Sequence, residues 1–336
     1  MSKLTKFICH LKVCITFTKQ KVTKNLSLEL SQIMLFSKKS NLEAILNGLF
    51  KSYFERVPDV KKITNAMIEK GWVSSQEDII NDHIAFRTLG IPFLGIGSFE
   101  KIFLKYGYQK KEFYSFDTKK LNAYWYAPPK PNLPRIFISE LRVNDLSKTA
   151  QQIVQKYTHS ISQDPLDDLD LNKVSEVIDF FHKPLWELPT LEDFDTLLNE
   201  SEYAAWVIYN RYYLNHYTIS VHELPDGFDS LKKFNEFLAN LGIKLNDAGG
   251  IIKTSSDGLL LQSSSVAEMI KADFSDHKTK EIAGSYVEFA ERKVLPEFQN
   301  INQNEISSKH RRDGFETANA DKIFESTFVK QTKKHL

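Results

Sequence analysis

The stretch that decides the fold reads Asn81-Asp82-His83-Ile84-Ala85-Phe86-Arg87-Thr88. Polar and apolar positions alternate with period two, which predicts a strand. His83, Ala85 and Arg87 then share one face, while Ile84 and Phe86 share the other. A histidine and an arginine four positions apart on one face suit a site that holds a metal and an anion together. The pattern returns in Leu214-Asn215-His216-Tyr217-Thr218-Ile219-Ser220-Val221, with His216 in the place of His83. Each histidine follows a short polar residue, Asp82 or Asn215, and leads into an apolar run.

The segments after the two histidine strands match in order. After the first comes a helix at 98–106, with Ser98 as its cap and Gly107 as its stop. Strands follow at 109–116, 121–127 and 135–143. After the second comes a helix at 229–241, stopped by Gly242. Strands at 250–254 and 259–265 meet at Ser256-Asp257-Gly258, a hairpin turn signal, and the last strand is 286–292. Strand, helix, strand, strand, strand, twice, points to an internal duplication. The expected fold is α+β, with βαβββ units at 81–143 and 212–292 forming a half-open barrel. Residues 144–211 read as a helical insertion, with helices at 146–157, 174–181, 191–199 and 202–211. Residues 34–80 carry two amphipathic helices, 41–54 and 58–70, expected as an N-terminal cap. Residues 293–336 are expected to close the site. Residues 1–33 differ in character: their apolar run at 7–17 is broken by His10 and Lys12 and lacks a small-residue cleavage site. They read as a loose tail or upstream-start extension rather than a targeting signal.

An apolar share of 42% and a charged share of 26% are those of an ordinary globular chain, and 336 residues bury a sizeable core. Net charge is +1, which excludes a global field for nucleic acid or an anionic membrane. Cys9 and Cys14 are the only cysteines. The rest of the chain therefore has no disulfide or thiolate metal site, which predicts a reducing, cytoplasmic location. Phosphate loops, nucleophile elbows, zinc-finger spacing and nucleic-acid-type basic clusters are missing from the sequence. Neither a nucleic-acid nor a membrane partner is expected.

Each unit ends in a strand that carries glutamate: Ile136-Phe137-Ile138-Ser139-Glu140-Leu141, and Tyr286-Val287-Glu288-Phe289-Ala290-Glu291-Arg292. If the units pack together, His83 and His216 converge with Glu288, Glu140 or both. Two imidazoles and one carboxylate with open positions form the facial triad of non-haem Fe(II) oxygenases. Two histidines with two glutamates favour Lewis-acid isomerase chemistry instead. Structural readings compete: Glu288 paired with Arg292, Glu140 with Arg142, and Arg87 with an acid on a helix.

Paired βαβββ units resemble the vicinal oxygen chelate superfamily. Four motifs narrow the likeness: Asp82-His83-Ile84-Ala85-Phe86-Arg87-Thr88; Asn215-His216-Tyr217-Thr218; Gly284-Ser285-Tyr286-Val287-Glu288-Phe289-Ala290-Glu291-Arg292; and Arg312-Asp313-Gly314-Phe315-Glu316 with Ile323-Phe324-Glu325-Ser326. In combination they are similar to the 2-oxoadipate dioxygenase/decarboxylase family, over roughly 42–328. The resemblance implies an Fe(II) enzyme that turns 2-oxoadipate and O2 into 2-hydroxyglutarate and CO2, a step of lysine breakdown. It implies His83, His216 and Glu288 as metal ligands, with no catalytic residue beyond them. It implies Arg87 as the substrate-carboxylate arginine, and a substrate-lining segment near Ala318-Asn319, with Asn319 as a further contact. The implied partners are a small 2-oxo dicarboxylic acid and O2. Two readings stay beside this one. A glyoxalase-like isomerase or lyase would use Glu140 as a fourth ligand, and a metal-free binding protein could be built on the same fold.

Overall fold

The computed structural model describes Phe36 and residues 40–333. The tail expected at 1–33 lies outside the described residues. An eight-stranded sheet runs through both repeats. Its first half contains β1 (Asn81–Leu89), α3 (Ile96–Lys105), β2 (Gln109–Phe116), β3 (Leu121–Ala127) and β4 (Arg135–Leu141). Its second half contains β5 (His216–Ser220), α8 (Leu231–Asn240), β6 (Lys253–Thr254), β7 (Leu260–Ser264) and β10 (Tyr286–Arg292). The strand order is β2-β3-β4-β1-β5-β10-β7-β6. In each half the histidine strand runs parallel to the last strand, and the other pairings are antiparallel. The halves join through an antiparallel β1–β5 pair. This is the duplicated βαβββ arrangement, curled into a half-open barrel.

The convex side is apolar, as the odd-even alternation requires. Helix α1 (Asn41–Arg56) starts in a capping box of Ser40 and Glu43, and Pro58 opens α2 (Pro58–Glu69). Phe50 of α1 meets Tyr217 edge-on at 5.4 Å between ring centroids. Phe86 packs against Phe99 of α3 at 4.8 Å and against Phe181 of the insertion at 5.5 Å. Phe234 of α8 sits 5.3 Å from Phe289. The insertion forms α4 (Lys148–Thr158), α5 (Val174–His182), α6 (Leu191–Glu200) and α7 (Glu202–Asn210).

The repeats also share a helix cap, and in the first repeat it is not Ser98. Ser98 lies inside α3, its hydroxyl 2.7 Å from Asp164. The amide of Ile96, the first residue of α3, instead donates to Glu140 at 2.9 Å. The amide of Leu231, the first residue of α8, donates to Glu291 at 2.7 Å. Glu140 and Glu291 stand at equivalent places in their last strands, and neither helix has a side-chain cap of its own. Each carboxylate thus meets the positive end of its unit's helix.

One element was not anticipated. Between β7 and β10 a hairpin of β8 (Met269–Asp273) and β9 (Thr279–Ala283) stands apart from the main sheet. Its turn places His277 at φ 60° rather than using the glycine that marks most such turns. The hairpin braces the insertion, with Phe274 against Phe194 at 5.3 Å. After β10 the chain returns across the open side of the barrel through α9 (Thr317–Phe324) and α10 (Val329–Thr332). Among the described residues, no helix is long and apolar enough to cross a membrane.

Candidate metal centre

Register stacks the inward side chains in rows. His83 pairs with Arg135 and Thr218 with Glu288; next come Ala85 with Phe137 and with His216, and His216 with Tyr286; then Arg87 with Ser139. The row of His83 and Glu288 and the row of His216 are therefore neighbours, with Arg87 one row further. Donor atoms of His83, His216 and Glu288 all lie within 4.8 Å of one another, and all three residues are buried. His216 Nε2 is 3.1 Å from Glu288 Oε2, His83 Nε2 is 3.5 Å from it, and the two Nε2 atoms are 3.4 Å apart. Thr218 Oγ1 lies 3.1 Å from His83 Nε2.

The outer nitrogens explain the short polar residue before each histidine. His83 Nδ1 sits 2.8 Å from Asp82 Oδ1, and His216 Nδ1 sits 3.0 Å from Asn215 Oδ1. With Nδ1–H donated outward, each ring turns an Nε2 lone pair to the centre, as a metal-binding imidazole requires. Strict alternation would send Asp82 to the convex face. The register between β1 and β5 shifts between Asn81 and Ile84, and this irregularity re-aims Asp82 inward. Asp82 is also gripped by Arg292, through Nε at 2.6 Å and Nη2 at 2.9 Å. The Glu288–Arg292 pair weighed from the sequence is thus replaced by Asp82–Arg292.

Charge follows from these contacts. Burial opposes ionisation of Glu288, but His83 and His216 outweigh it and hold the carboxyl down at about 2. Burial likewise works against protonated His83, yet Glu288 and Asp82 raise it above its ordinary value. For His216 burial dominates and the shift is downward. Glu288 Oε1 accepts from Gln262 Nε2 at 2.7 Å, and Gln262 Oε1 accepts from Asn319 Nδ2 at 3.0 Å. Asn319 also faces the carbonyls of Lys253 and Leu260, each at 3.3 Å. The wall of the central cavity includes Phe137, Tyr286, Phe315, Ala320, Ile323 and Phe324. The cavity measures about 20 Å³, room for one small ligand atom or water.

Arg87 lies beyond this cavity, 1% exposed. Its Nη1 donates to Thr327 Oγ1 at 3.0 Å and its Nη2 to the Phe324 carbonyl at 3.2 Å. Tyr203 and Trp206 of α7 each present a ring 5.1 Å from the guanidinium carbon. Among the described residues Arg87 makes no direct salt bridge with a carboxylate, and the helical acid that acts on it is Glu202 at the start of α7, through charge alone. Glu140 is on the convex side, at the head of α3, and is not a fourth ligand. Nor does it pair with Arg142, which pairs with Asp117 and Asp145. Phe137 occupies the position in the first repeat that Glu288 holds in the second, which is why there is one carboxylate and not two.

The donor set fits a divalent transition metal: two imidazoles, one anionic oxygen, open positions and a dry wall. Comparison with known proteins gives the family. A family model described as 2-oxoadipate dioxygenase/decarboxylase matches residues 45–303. The chain is 43% identical over 306 residues to the Arabidopsis thaliana protein "2-oxoadipate dioxygenase/decarboxylase, chloroplastic", covering 88% of this chain and 80% of the relative. It is 43% identical over 298 residues to the chloroplastic/amyloplastic protein of the same name from Oryza sativa subsp. japonica, covering 86% and 79%. A crystal structure of hydroxyglutarate synthase from Oryza sativa, in complex with 2-oxoadipate, superposes with TM-score 0.80 at 40% identity, covering 90% of this chain and 97% of that one. The plastid names of both relatives overturn the cytoplasmic location expected above. Scarce cysteines report a reducing medium, and a medium is not an address. The chain belongs to the 2-oxoadipate dioxygenase/decarboxylase family.

Proposed function

We propose that this protein is an Fe(II)-dependent dioxygenase that converts 2-oxoadipate and O2 into 2-hydroxyglutarate and CO2, acting in lysine breakdown in a plastid. The observation that carries the reading is the buried convergence of His83, His216 and Glu288 on the concave face, in a chain of this family. Fe(II) held by these three would supply the redox chemistry and a chelation point for a 2-oxo acid. The chain's own residues do the rest. Asp82 and Asn215 keep both histidines turned inward. Gln262 holds one oxygen of Glu288, leaving the other for the ion, and Asn319 acts by holding Gln262. Phe137, Phe315 and Phe324 keep water out. Arg87 takes the far carboxylate, since a buried guanidinium with no direct salt bridge among the described residues is poised for an anion. A six-carbon diacid needs more room than the cavity's volume of about 20 Å³. The isomerase reading loses its support with Glu140 on the outer face.

The test is anaerobic reconstitution with Fe(II), followed by O2 uptake and product analysis on a panel of 2-oxo acids. Uptake and 2-hydroxyglutarate formation with 2-oxoadipate are expected. Full iron occupancy without uptake on any member of the panel would refute the assignment.

A further inference from the structure

Among the described residues, the wall between the cavity and Arg87 contains two buried polar groups that meet no partner in hydrogen-bond geometry. One is Arg87 Nε and the other is the Tyr286 hydroxyl; neither has a hydrogen-bond partner. Tyr286 is 0% exposed and lines the cavity, with its ring 4.7 Å from that of His216. Its hydroxyl lies beside Arg87 and Ser326, close enough to interact with both, yet completes a hydrogen bond with neither. By register Tyr286 shares a row with His216, between the row of Glu288 and that of Arg87. Buried polar atoms are nearly always satisfied, so two adjacent orphans in one wall mark a place for a ligand. Arg87 Nε can only donate and is cationic, and the Tyr286 hydroxyl can donate beside it, so the fitting ligand is an anion.

We infer that the Tyr286 hydroxyl completes, beside Arg87 Nε, the seat for the distal carboxylate of the substrate, which makes Tyr286 a specificity-determining residue. This rests on the function proposed above and deepens it. The two Nη groups of Arg87 are committed to Thr327 and to the Phe324 carbonyl, so the guanidinium is held still and offers its Nε edge. The Tyr286 hydroxyl supplies the second hydrogen bond. Such a seat favours a diacid over a 2-oxo acid of the same length that ends in a methyl group, which would leave both donors buried and unpaired.

The test compares wild type with Tyr286→Phe as iron-loaded proteins. Two readouts are taken: anaerobic calorimetric binding of adipate and of hexanoate, and turnover of 2-oxoadipate and 2-oxohexanoate. Tyr286→Phe is expected to weaken adipate binding, and to raise KM for 2-oxoadipate, by about tenfold or more. Hexanoate binding and 2-oxohexanoate turnover should change less than about twofold. Iron affinity should be unchanged, and Tm equal or higher, because the variant removes an unsatisfied buried hydroxyl. Equal adipate affinity in the two proteins, or a parallel loss for diacid and monoacid, would overturn the seat. Failure of wild type to bind adipate in preference to hexanoate would overturn it too. Adipate binding through Tyr286 without turnover of any 2-oxo acid would sink the reaction and leave the seat standing.

Discussion

Arg87 shows how much one side chain's surroundings say about its task. A guanidinium buried without a carboxylate is destabilising by itself. Three rings and two hydrogen bonds offset part of that cost, and burial pulls its pKa below the ordinary value. Replacing it with an apolar side chain of similar length should therefore relieve the fold while removing the anion's partner. Arg87→Met is expected to bind iron normally, to match or exceed the wild-type Tm, and to lose roughly 30-fold or more in kcat/KM for 2-oxoadipate. That loss corresponds to about 2 kcal/mol, the lower range for truncating one partner of a buried charge pair. Iron content, melting curves and steady-state kinetics on the same preparations check all three. A variant with normal kcat/KM would show that the far carboxylate is held elsewhere. His222 offers a different reading at the same scale. Burial keeps it neutral and lowers its pKa to about 3, while its Nδ1 lies 3.2 Å from the Arg292 amide and 3.3 Å from the Ala290 carbonyl. Because the folded value lies below the unfolded one, near 6.5, its contribution to stability is complete above pH 6.5. It is lost progressively as pH falls from there to about 3. His222→Asn, which keeps an acceptor near Nδ1, should flatten the dependence of Tm on pH across that window.

The strands and helices carry a second pairing that repeats. Glu140 and Glu291, one at each last strand, hold the first amide of α3 and α8. Glu140→Gln and Glu291→Gln should each cost on the order of 1 kcal/mol, since the charge at the helix head is lost while the acceptor remains. Iron affinity should be untouched in both. Chemical denaturation and a chelator competition separate the two effects. A fall in iron affinity for Glu140→Gln would return Glu140 to the metal shell and revive the isomerase reading.

The assembled chain ties its last segment to its metal centre. Helix α9 packs across the open side of the barrel, and its Asn319 reaches Glu288 through Gln262. Docking of this segment and alignment of the glutamate are therefore one event. Asn319→Ala and Gln262→Ala should each weaken iron binding by about tenfold or more, the usual effect of removing a partner that orients a metal ligand. A competition titration reads this without turnover. Iron affinity equal to wild type in both variants would show that Glu288 needs no such support. The same folding-over places Phe315 against His83, 4.8 Å between rings, so residues some 230 positions apart dry one cavity.

Local pattern carried a large part of this. Period-two alternation marks β1, β4 and β10, and it assigns His83, Arg87 and Glu288 to inward faces before any partner strand is known. The recurrence of a histidine strand, then a helix, then three strands contains the duplication, because each copy must bury the same faces. Helices α1 to α8 follow from apolar stripes and stops, although α3 is capped by Glu140 and not by Ser98, and α9 carries no such local signal. What alternation cannot contain is an exception to it. The register shift that turns Asp82 inward arises only when β1 meets β5. The equivalence of Phe137 with Glu288, which leaves Glu140 outside, is visible only once both registers exist. The β8–β9 hairpin has short, half-exposed strands and no glycine at its turn, so its local signal is weak. Partners such as Asn319 and Gln262, or Arg292 and Asp82, are set by how distant segments pack. Those contacts depend on the path of the whole backbone, and no window of neighbouring residues encodes them.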